Sequence, residues 1–139
     1  MAQLVITERA RSALRATGER VTPARVRVYA ALLDSAQALS HHELESALGA
    51  GAPVDRVTLY RVLDWLVDQR LARRIAGIDR VWRFSIARDS RARQAHFECN
   101  RCGKVVSLSE ALTGRVPLPR GFRSEAVELT VKGRCAECG

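Results

Sequence analysis

Apolar residues in the first third of the chain recur at intervals of three and four, the spacing of one buried face of an α-helix. The first run predicts a helix over residues 3–17, which Gly18 ends. A second helix is predicted to begin at Thr22 and Pro23, because Thr22 is a good N-cap and Pro23 loses nothing at the first helical position. The inward-facing positions of the two helices are predicted to be Leu4, Val5, Ala10 and Leu14, then Val26, Tyr29, Ala30 and Leu33.

A third helix is predicted from its capping signals. Ser40 and Glu43 have the spacing of a capping box, in which each residue satisfies a free N–H group at the helix start. Gly49 and Gly51 are predicted to end this helix. Its apolar face is predicted to hold Leu44, Ala47 and Leu48.

The fourth helix is followed by the pattern of a hairpin. Asp55 is the predicted N-cap of a helix over residues 56–70. Its apolar face is predicted to hold Val57, Tyr60 or Leu59, Leu63 and Leu66. Two short apolar strands are then predicted at residues 71–75 and 81–84, and residues 77–80 between them form a turn that contains glycine. Helices followed by a hairpin predict a winged helix-turn-helix, which we place at residues 1–86.

The second half of the chain is predicted to be small and rich in strands. Residues 87–94 are polar and charged and predict a linker, and residues 95–139 form the second domain. Its predicted elements are strands at residues 96–98, 104–108 and 126–131, a short helix at residues 109–113 capped by Ser109, and a loop marked by Pro117, Pro119 and Gly121. A domain of about 50 residues rarely buries enough apolar surface to be stable alone. We therefore expect a bound metal and a partner chain.

The charge balance favours a polyanionic partner. Lys and Arg number 23 against 15 Asp and Glu, which gives a net charge of +8. Such an excess suits nucleic acid, although a basic soluble surface would have the same composition. Charges interrupt the chain before about 18 consecutive apolar residues accumulate, so no membrane span is expected. The N-terminus lacks the features of a signal peptide, and we expect a cytoplasmic protein in which cysteines stay reduced.

All four cysteines stand in two Cys-x-x-Cys pairs, Cys99 with Cys102 and Cys135 with Cys138. Two residues between ligands allow one tight turn to direct both sulfurs at one point, and four thiolates make the closed tetrahedral site that Zn²⁺ prefers. Such a site leaves no position for water and is structural. Two unrelated dithiols, a redox pair or an iron–sulfur cluster are the alternatives. The predicted fold is therefore α+β, a winged helix-turn-helix followed by a small α/β dimerisation domain with a four-cysteine zinc site.

The first turns of the fourth helix carry the side chains that read DNA in a helix-turn-helix unit. Arg56 and Arg61 can reach phosphate or guanine, and Thr58 and Tyr60 offer hydroxyl groups together with methyl or ring contacts to thymine. Trp65, one turn further on, is predicted to pack against the hairpin. The alternative is a solvated amphipathic helix with Tyr60 in the core. Two more arginines near the start of the second helix are candidates for the minor groove and for phosphates, Arg20 and Arg25 respectively.

Five segments together resemble the ferric uptake regulator family. They are Arg-Val-Thr-Pro-Ala-Arg at 20–25, Val-Thr-Leu-Tyr-Arg-Val-Leu at 57–63, His-Phe-Glu-Cys-Asn-Arg-Cys-Gly-Lys-Val at 96–105, Gly-Phe at 121–122 and Gly-Arg-Cys-Ala-Glu-Cys at 133–138. The resemblance implies a homodimeric, metal-responsive repressor that binds A·T-rich inverted repeats in double-stranded DNA. It also implies that Tyr60 and Arg61 contact bases, that Arg20 reaches the minor groove and that the four cysteines hold structural zinc.

The chain departs from the family pattern at the sensing site. The family usually has a histidine-rich run before the first cysteine pair, and here only His96 remains of it. The other positions that match family ligands are Ala38, Arg83 and Ser107, and none of them is a good ligand. The cysteine that zinc sensors often place at the end of the wing is missing, and Phe84 or a neighbour stands there.

A rebuilt regulatory site would have to use His96 with other residues. The candidates are His41 or His42 and the acids Asp79, Asp89, Glu98 and Glu110. His41 and His42 are adjacent on a helix and point about 100° apart, so they are not expected to share one metal. The alternative is that the three histidines are ordinary helix-start and strand residues.

These observations predict a sequence-specific transcriptional repressor that controls metal homeostasis genes. The expected metals are one structural Zn²⁺ per chain and a possible second, regulatory ion, with zinc preferred over iron(II) as the effector. One alternative is a family member whose degenerate sensing site does not respond to metal, and another is an iron- or peroxide-responsive member. An enzyme that uses the zinc is disfavoured, because the sequence has no visible three-ligand metal site, nucleophile–base pair or phosphate loop.

Overall fold

The computed structural model describes residues 2–49, 54–87, 93–108 and 116–139. Within them the chain forms four helices and two three-stranded sheets, which confirms the predicted mixed fold. The helices are α1 (Ala2–Arg15), α2 (Pro23–Leu33), α3 (His41–Leu48) and α4 (Arg56–Asp68). The strands are β1 (Leu39–Ser40), β2 (Ala72–Ala76), β3 (Trp82–Ile86), β4 (Arg93–Cys99), β5 (Val105–Ser107) and β6 (Val127–Gly133).

The N-caps predicted for α2, α3 and α4 are all present. The Thr22 hydroxyl accepts a hydrogen bond from the Arg25 N–H at 3.2 Å, and the Asp55 carboxylate accepts one from the Thr58 N–H at 2.8 Å. At α3 the capping box is complete, because Ser40 accepts from the Glu43 N–H while the Glu43 carboxylate accepts from the Ser40 N–H. These local bonds fix where the three helices begin, independently of what packs on them.

The core lies between the four helices and the wing sheet. Its fully buried side chains come from every helix of the first half and from the wing, and include Leu14, Leu32, Leu44, Leu59, Leu63, Leu66 and Phe84. Several predicted inward positions are wrong. Leu4 and Val5 of α1, Ala47 of α3 and Val57 of α4 are exposed. Leu33 and Leu48 are half-buried and pack against the core, as predicted. Helical spacing marks these positions as apolar but does not show whether another segment covers them.

The wing contains a strand that the sequence pattern did not predict. The sheet order is β1-β3-β2, and the two-residue strand β1 pairs antiparallel with β3 through Leu39 opposite Phe84. The predicted hairpin is confirmed as β2 and β3, joined by a turn in which Arg80 has a φ of +62°. A strand of two residues is too short to show an alternating pattern, so its pairing depends on tertiary structure.

The second sheet has the order β5-β4-β6, with β4 antiparallel to β5 and parallel to β6. Strand β4 begins at Arg93 and therefore extends into the predicted linker of residues 87–94. The predicted helix at residues 109–113 and the candidate ligands Asp89 and Glu110 lie outside the described residues, as does Gly51. The division into domains at residues 86 and 95 stays a prediction.

Backbone contacts join the second sheet to the first half of the chain. The Ala38 N–H donates to the Val105 carbonyl at 2.8 Å, and Gln37 forms an isolated bridge with Val106. One side-chain contact also joins them, because the Arg73 guanidinium of β2 lies 3.5 Å from the Glu128 carboxylate of β6. Among the described residues, no helix is long and apolar enough to cross a membrane.

Candidate metal centre and nucleic-acid interface

The structure brings the four cysteines together at one end of β4 and β6. Their sulfur atoms all lie within 4.8 Å of one another, and the Cys102 and Cys135 sulfurs are 3.8 Å apart. A tetrahedral ion with bonds of about 2.3 Å to sulfur requires sulfur–sulfur edges of about 3.8 Å. The cluster therefore has the dimensions of a four-cysteine zinc site, as the sequence spacing predicted. No disulfide joins the four cysteines.

Backbone N–H groups polarise the buried sulfur of this cluster. The N–H groups of Cys102 and Cys135 point at the Cys99 sulfur at 3.5 and 3.4 Å, and they hold the pKa of Cys99 down at about 5. Cys138 behaves in the opposite way, because its bond to the Cys135 sulfur and its burial raise its pKa to about 12. Four thiolates cannot accumulate at this spacing without a cation, so the donor set fits a divalent metal.

The turn of the first cysteine pair lies against an ion pair of the wing whose arginine is buried. The Arg83 guanidinium donates two hydrogen bonds to the Asp79 carboxylate, at 2.9 and 2.8 Å, and only 9% of the Arg83 side chain is exposed. Gly103, at φ +80°, follows the first cysteine pair, and a methyl group on it would overlap Asp79 and lie 3.0 Å from Arg83. The close contact and the positive φ both require glycine there. The turn of the first cysteine pair therefore packs closely against the wing.

Helix α4 presents the predicted DNA-reading residues on the surface. Tyr60 and Arg61 are exposed, and Tyr60 retains 43% of its surface, which argues against the alternative that it lies in the core. Arg56 is exposed and pairs with Glu45 of α3 at 3.1 Å, and Thr58 is half-buried at the helix cap. Val57, predicted to face the core, is 59% exposed on this surface instead.

The two arginines near α2 differ in their surroundings. Arg20 is exposed, whereas the Arg25 guanidinium lies 3.8 Å from the Trp65 ring centroid and donates to the Arg20 carbonyl. Trp65 thus contacts this arginine of α2 and packs against the core, and its predicted contact with the hairpin stays a prediction. Arg25 ties the start of α2 to α4 and supports the Arg20 backbone.

His96 lies within the second sheet, half-buried and opposite Ser107 in the pairing of β4 with β5. Its Nε2 atom is 3.2 Å from the Thr130 hydroxyl oxygen, and burial lowers its pKa. Among the residues that the structure describes, the cysteines are the only group of three or more His, Cys, Asp or Glu ligand atoms close enough to hold an ion. Partners for His96 in a metal site therefore stay a prediction.

Sequence reasoning missed two features of this region. It offers His41 of α3 only as a metal ligand or a solvated residue, but the His41 ring lies against Tyr60. The role of Asp79 as the partner of Arg83 was also missed. His41 and Tyr60 lie on different helices, so no local pattern predicts their contact. Asp79 and Arg83 are four residues apart, and their pairing depends on the register of β2 with β3.

Comparison with known proteins agrees with this arrangement. The family model described as "Ferric uptake regulator family" matches residues 16–130. This chain belongs to the ferric uptake regulator family. Family members are metal-responsive transcription regulators and not enzymes. No curated protein sequence matches the chain significantly.

Solved structures of the ferric uptake regulator family match nearly the whole chain. The regulator from Pseudomonas aeruginosa with manganese is 28% identical, with a TM-score of 0.71 over 91% of this chain and 98% of that chain. The Helicobacter pylori ferric uptake regulator is 20% identical, with a TM-score of 0.68 over 98% and 93%. A zinc uptake regulator complexed with zinc and DNA is 21% identical, with a TM-score of 0.66 over 99% and 95%.

Proposed function

We propose that this chain is a zinc-containing repressor that binds an inverted-repeat operator as a homodimer and controls metal homeostasis genes. The observation that carries the proposal is the exposed surface of α4, where Tyr60 and Arg61 are free to meet bases on a winged helix of this family. A net charge of +8 favours a polyanionic partner. The relative complexed with zinc and DNA supports the same assignment.

The residues of the interface divide into two groups. Tyr60, Arg61 and Thr58 lie on the first two turns of α4, the part of a recognition helix that reaches base edges. We assign Arg20, which is exposed, to contacts with the minor groove or the DNA backbone. Arg56 reaches DNA only by exchanging its partner Glu45 for a phosphate, and Arg25 by leaving the Trp65 ring. We therefore assign Arg56 and Arg25 to sequence-independent affinity.

Arg61→Ala is expected to weaken binding to a specific operator by about 1–3 kcal/mol, because a forked contact to guanine is lost. Binding to random DNA should change much less. The measurement is a titration of labelled duplexes at fixed salt, with an operator enriched by the wild-type protein from a random pool. Arg123→Ala removes the same charge from an exposed position outside α4 and serves as the control. Equal losses on operator and random DNA would contradict base reading by Arg61.

The four cysteines are proposed to hold one Zn²⁺ per chain, with Cys99, Cys102, Cys135 and Cys138 as ligands. Their sulfur geometry supports this assignment. When bound, the ion supplies charge neutralisation and a crosslink between the two cysteine turns. Lys104, two residues after Cys102, and Glu137, between Cys135 and Cys138, form a further ion pair at 3.1 Å between the same turns.

A regulatory metal at His96 is the second part of the proposal, with zinc favoured over iron(II). A site beside the junction of the two sheets is able to select one placement of the DNA-binding surfaces, which is what an effector must do. The second candidate is a repressor that does not respond to metal, and a specific observation favours it. Arg83 and Ser107 occupy two of the positions that match family ligands, and Arg83 is already paired with Asp79.

Operator binding after removal of exchangeable metal separates these two candidates. A metal-responsive protein is expected to lose at least about fivefold in affinity, the lower end of ordinary allosteric coupling, and to recover it on addition of zinc. His96→Ala should then bind weakly with or without zinc. Unchanged affinity of the wild type, with one zinc still bound per chain, would identify a repressor that does not sense metal.

A further inference from the structure

We propose that His41 is the residue that holds Tyr60 in its DNA-reading position. The inference rests on the proposed function, because it assigns a role to a side chain behind the proposed base-reading surface. His41 contacts no DNA in this proposal. It acts through Tyr60 and is a positioning residue that contributes to sequence specificity.

The three rings of Phe84, His41 and Tyr60 form a continuous stack from the core to the surface. The ring centroids of His41 and Tyr60 are 4.0 Å apart with a tilt of 50°, and those of His41 and Phe84 are 5.0 Å apart, edge to face. Phe84 is 1% exposed and Tyr60 is 43% exposed. Tyr60 therefore has solvent on one side and a ring anchored in the core on the other.

Two sets of contacts fix the backbone at His41. His41 is the first residue of α3, directly after the Ser40 N-cap, so the complete capping box fixes its backbone. Ser40 itself pairs with Arg83 in the wing sheet. The stack thus joins the starts of α3 and α4 to the wing strand β3, and a shift of His41 would move the support of the Tyr60 ring.

An exposed tyrosine without this support would occupy several rotamers, and binding DNA would require it to be ordered each time. A ring already held in one orientation avoids this cost and places the hydroxyl against one base position. The loss on removing His41 should therefore fall on specific DNA, where Tyr60 makes its contacts. Random DNA, bound through phosphates, should be insensitive to it.

Near neutral pH the surroundings of His41 favour the neutral imidazole. Burial lowers the pKa of His41, and the nearby charges act in both directions, since Asp64 and Glu45 raise it while Arg74 lowers it. Shape and ring contact, and not charge, are therefore what His41 supplies. Phenylalanine, which keeps the ring and removes the titratable group, should replace it without loss.

The test is a double-mutant cycle in the full-length, zinc-loaded protein, on the duplex that the wild type enriches from a random-sequence pool. His41→Ala is expected to weaken binding to that duplex about threefold to tenfold, the range of an aromatic pair. In the Tyr60→Ala background the same change should have no further effect. His41→Phe should bind as the wild type does.

Circular dichroism and thermal unfolding of each variant verify that the fold is kept, and His41→Phe provides the comparison if His41→Ala is unstable. An equal loss in the Tyr60→Ala background would overturn the proposal, as would an equal loss on random DNA or a failure of His41→Phe to restore binding. A wild-type protein with no preference for any sequence would overturn the proposed function itself, before any variant is compared.

Discussion

Cys102→Ser is expected to release the zinc and unfold the second sheet, and it should also abolish dimer formation. Zinc bound to four thiolates contributes about 10 kcal/mol or more to the folding of small domains at neutral pH. The second sheet has three strands and few fully buried side chains of its own, with Ala95, Cys99 and Val105 among them. Losing one of four ligands therefore removes most of what stabilises this part of the chain.

Three measurements check this result. Metal analysis should give one zinc per wild-type chain and a value near zero for the variant. Light scattering reports the oligomeric state, and circular dichroism reports the loss of strand. Arg101→Ser is the matched control, because Arg101 lies in the same turn, is exposed and is not a ligand. A zinc-free Cys102→Ser protein that stays dimeric and folded would show that the cysteines are not structural.

Asp79→Ala is expected to lower the free energy of unfolding by about 3 kcal/mol, because it leaves a buried guanidinium without its main partner. Arg83 is 9% exposed, and its one remaining acidic partner among the described residues would be Glu43, whose carboxylate is 3.9 Å away. The loss should be centred on the wing and on the Gly103 turn that lies against it. Chemical denaturation measures the stability, and the fluorescence of Trp82, next to Arg83 on the wing strand, reports the local change.

A second ion pair, between α4 and the wing, provides the control for Asp79→Ala. Asp64 and Arg74 form a bond of the same 2.8 Å length but are 65% and 41% exposed. Exposed pairs contribute about 0–1 kcal/mol, so Asp64→Ala should have a small effect. The double variant Asp79→Ala with Arg83→Met should recover stability, since it removes the unpaired charge. Similar losses for the Asp64 and Asp79 variants would refute a special role for the buried pair.

The same Asp79–Arg83 pair predicts a pH dependence. The hydrogen bonds from Arg83 lower the pKa of Asp79 from its ordinary value of 3.8 to about 2. A carboxylate whose pKa is lower in the folded state contributes stability that is complete above its unfolded pKa. This contribution is lost as the pH falls from about 4 towards 2. The wild type should therefore lose more stability than Asp79→Ala over this interval in acid denaturation curves.

The sequence by itself determined the helix starts, the hairpin and the grouping of the four cysteines. Thr22, Ser40 and Asp55 cap helices through bonds to N–H groups three residues away, so their effect is local and readable. The two Cys-x-x-Cys pairs also depend on spacing within one tight turn. Signals of this kind involve only residues that are close together in the chain, so they are recognisable before the fold is known.

Only the tertiary structure decided which faces of the helices and strands are covered and which distant segments contact one another. The exposure of Val57, the two-residue strand β1 and the parallel pairing of β4 with β6 depend on segments far apart in the chain. The stack of His41 on Tyr60 and the contact of Gly103 with the Arg83–Asp79 pair are of the same kind. Helical spacing states that a face is apolar, but neighbours from distant segments determine whether it is covered. Those neighbours are set by packing of the whole chain, and no local pattern encodes them.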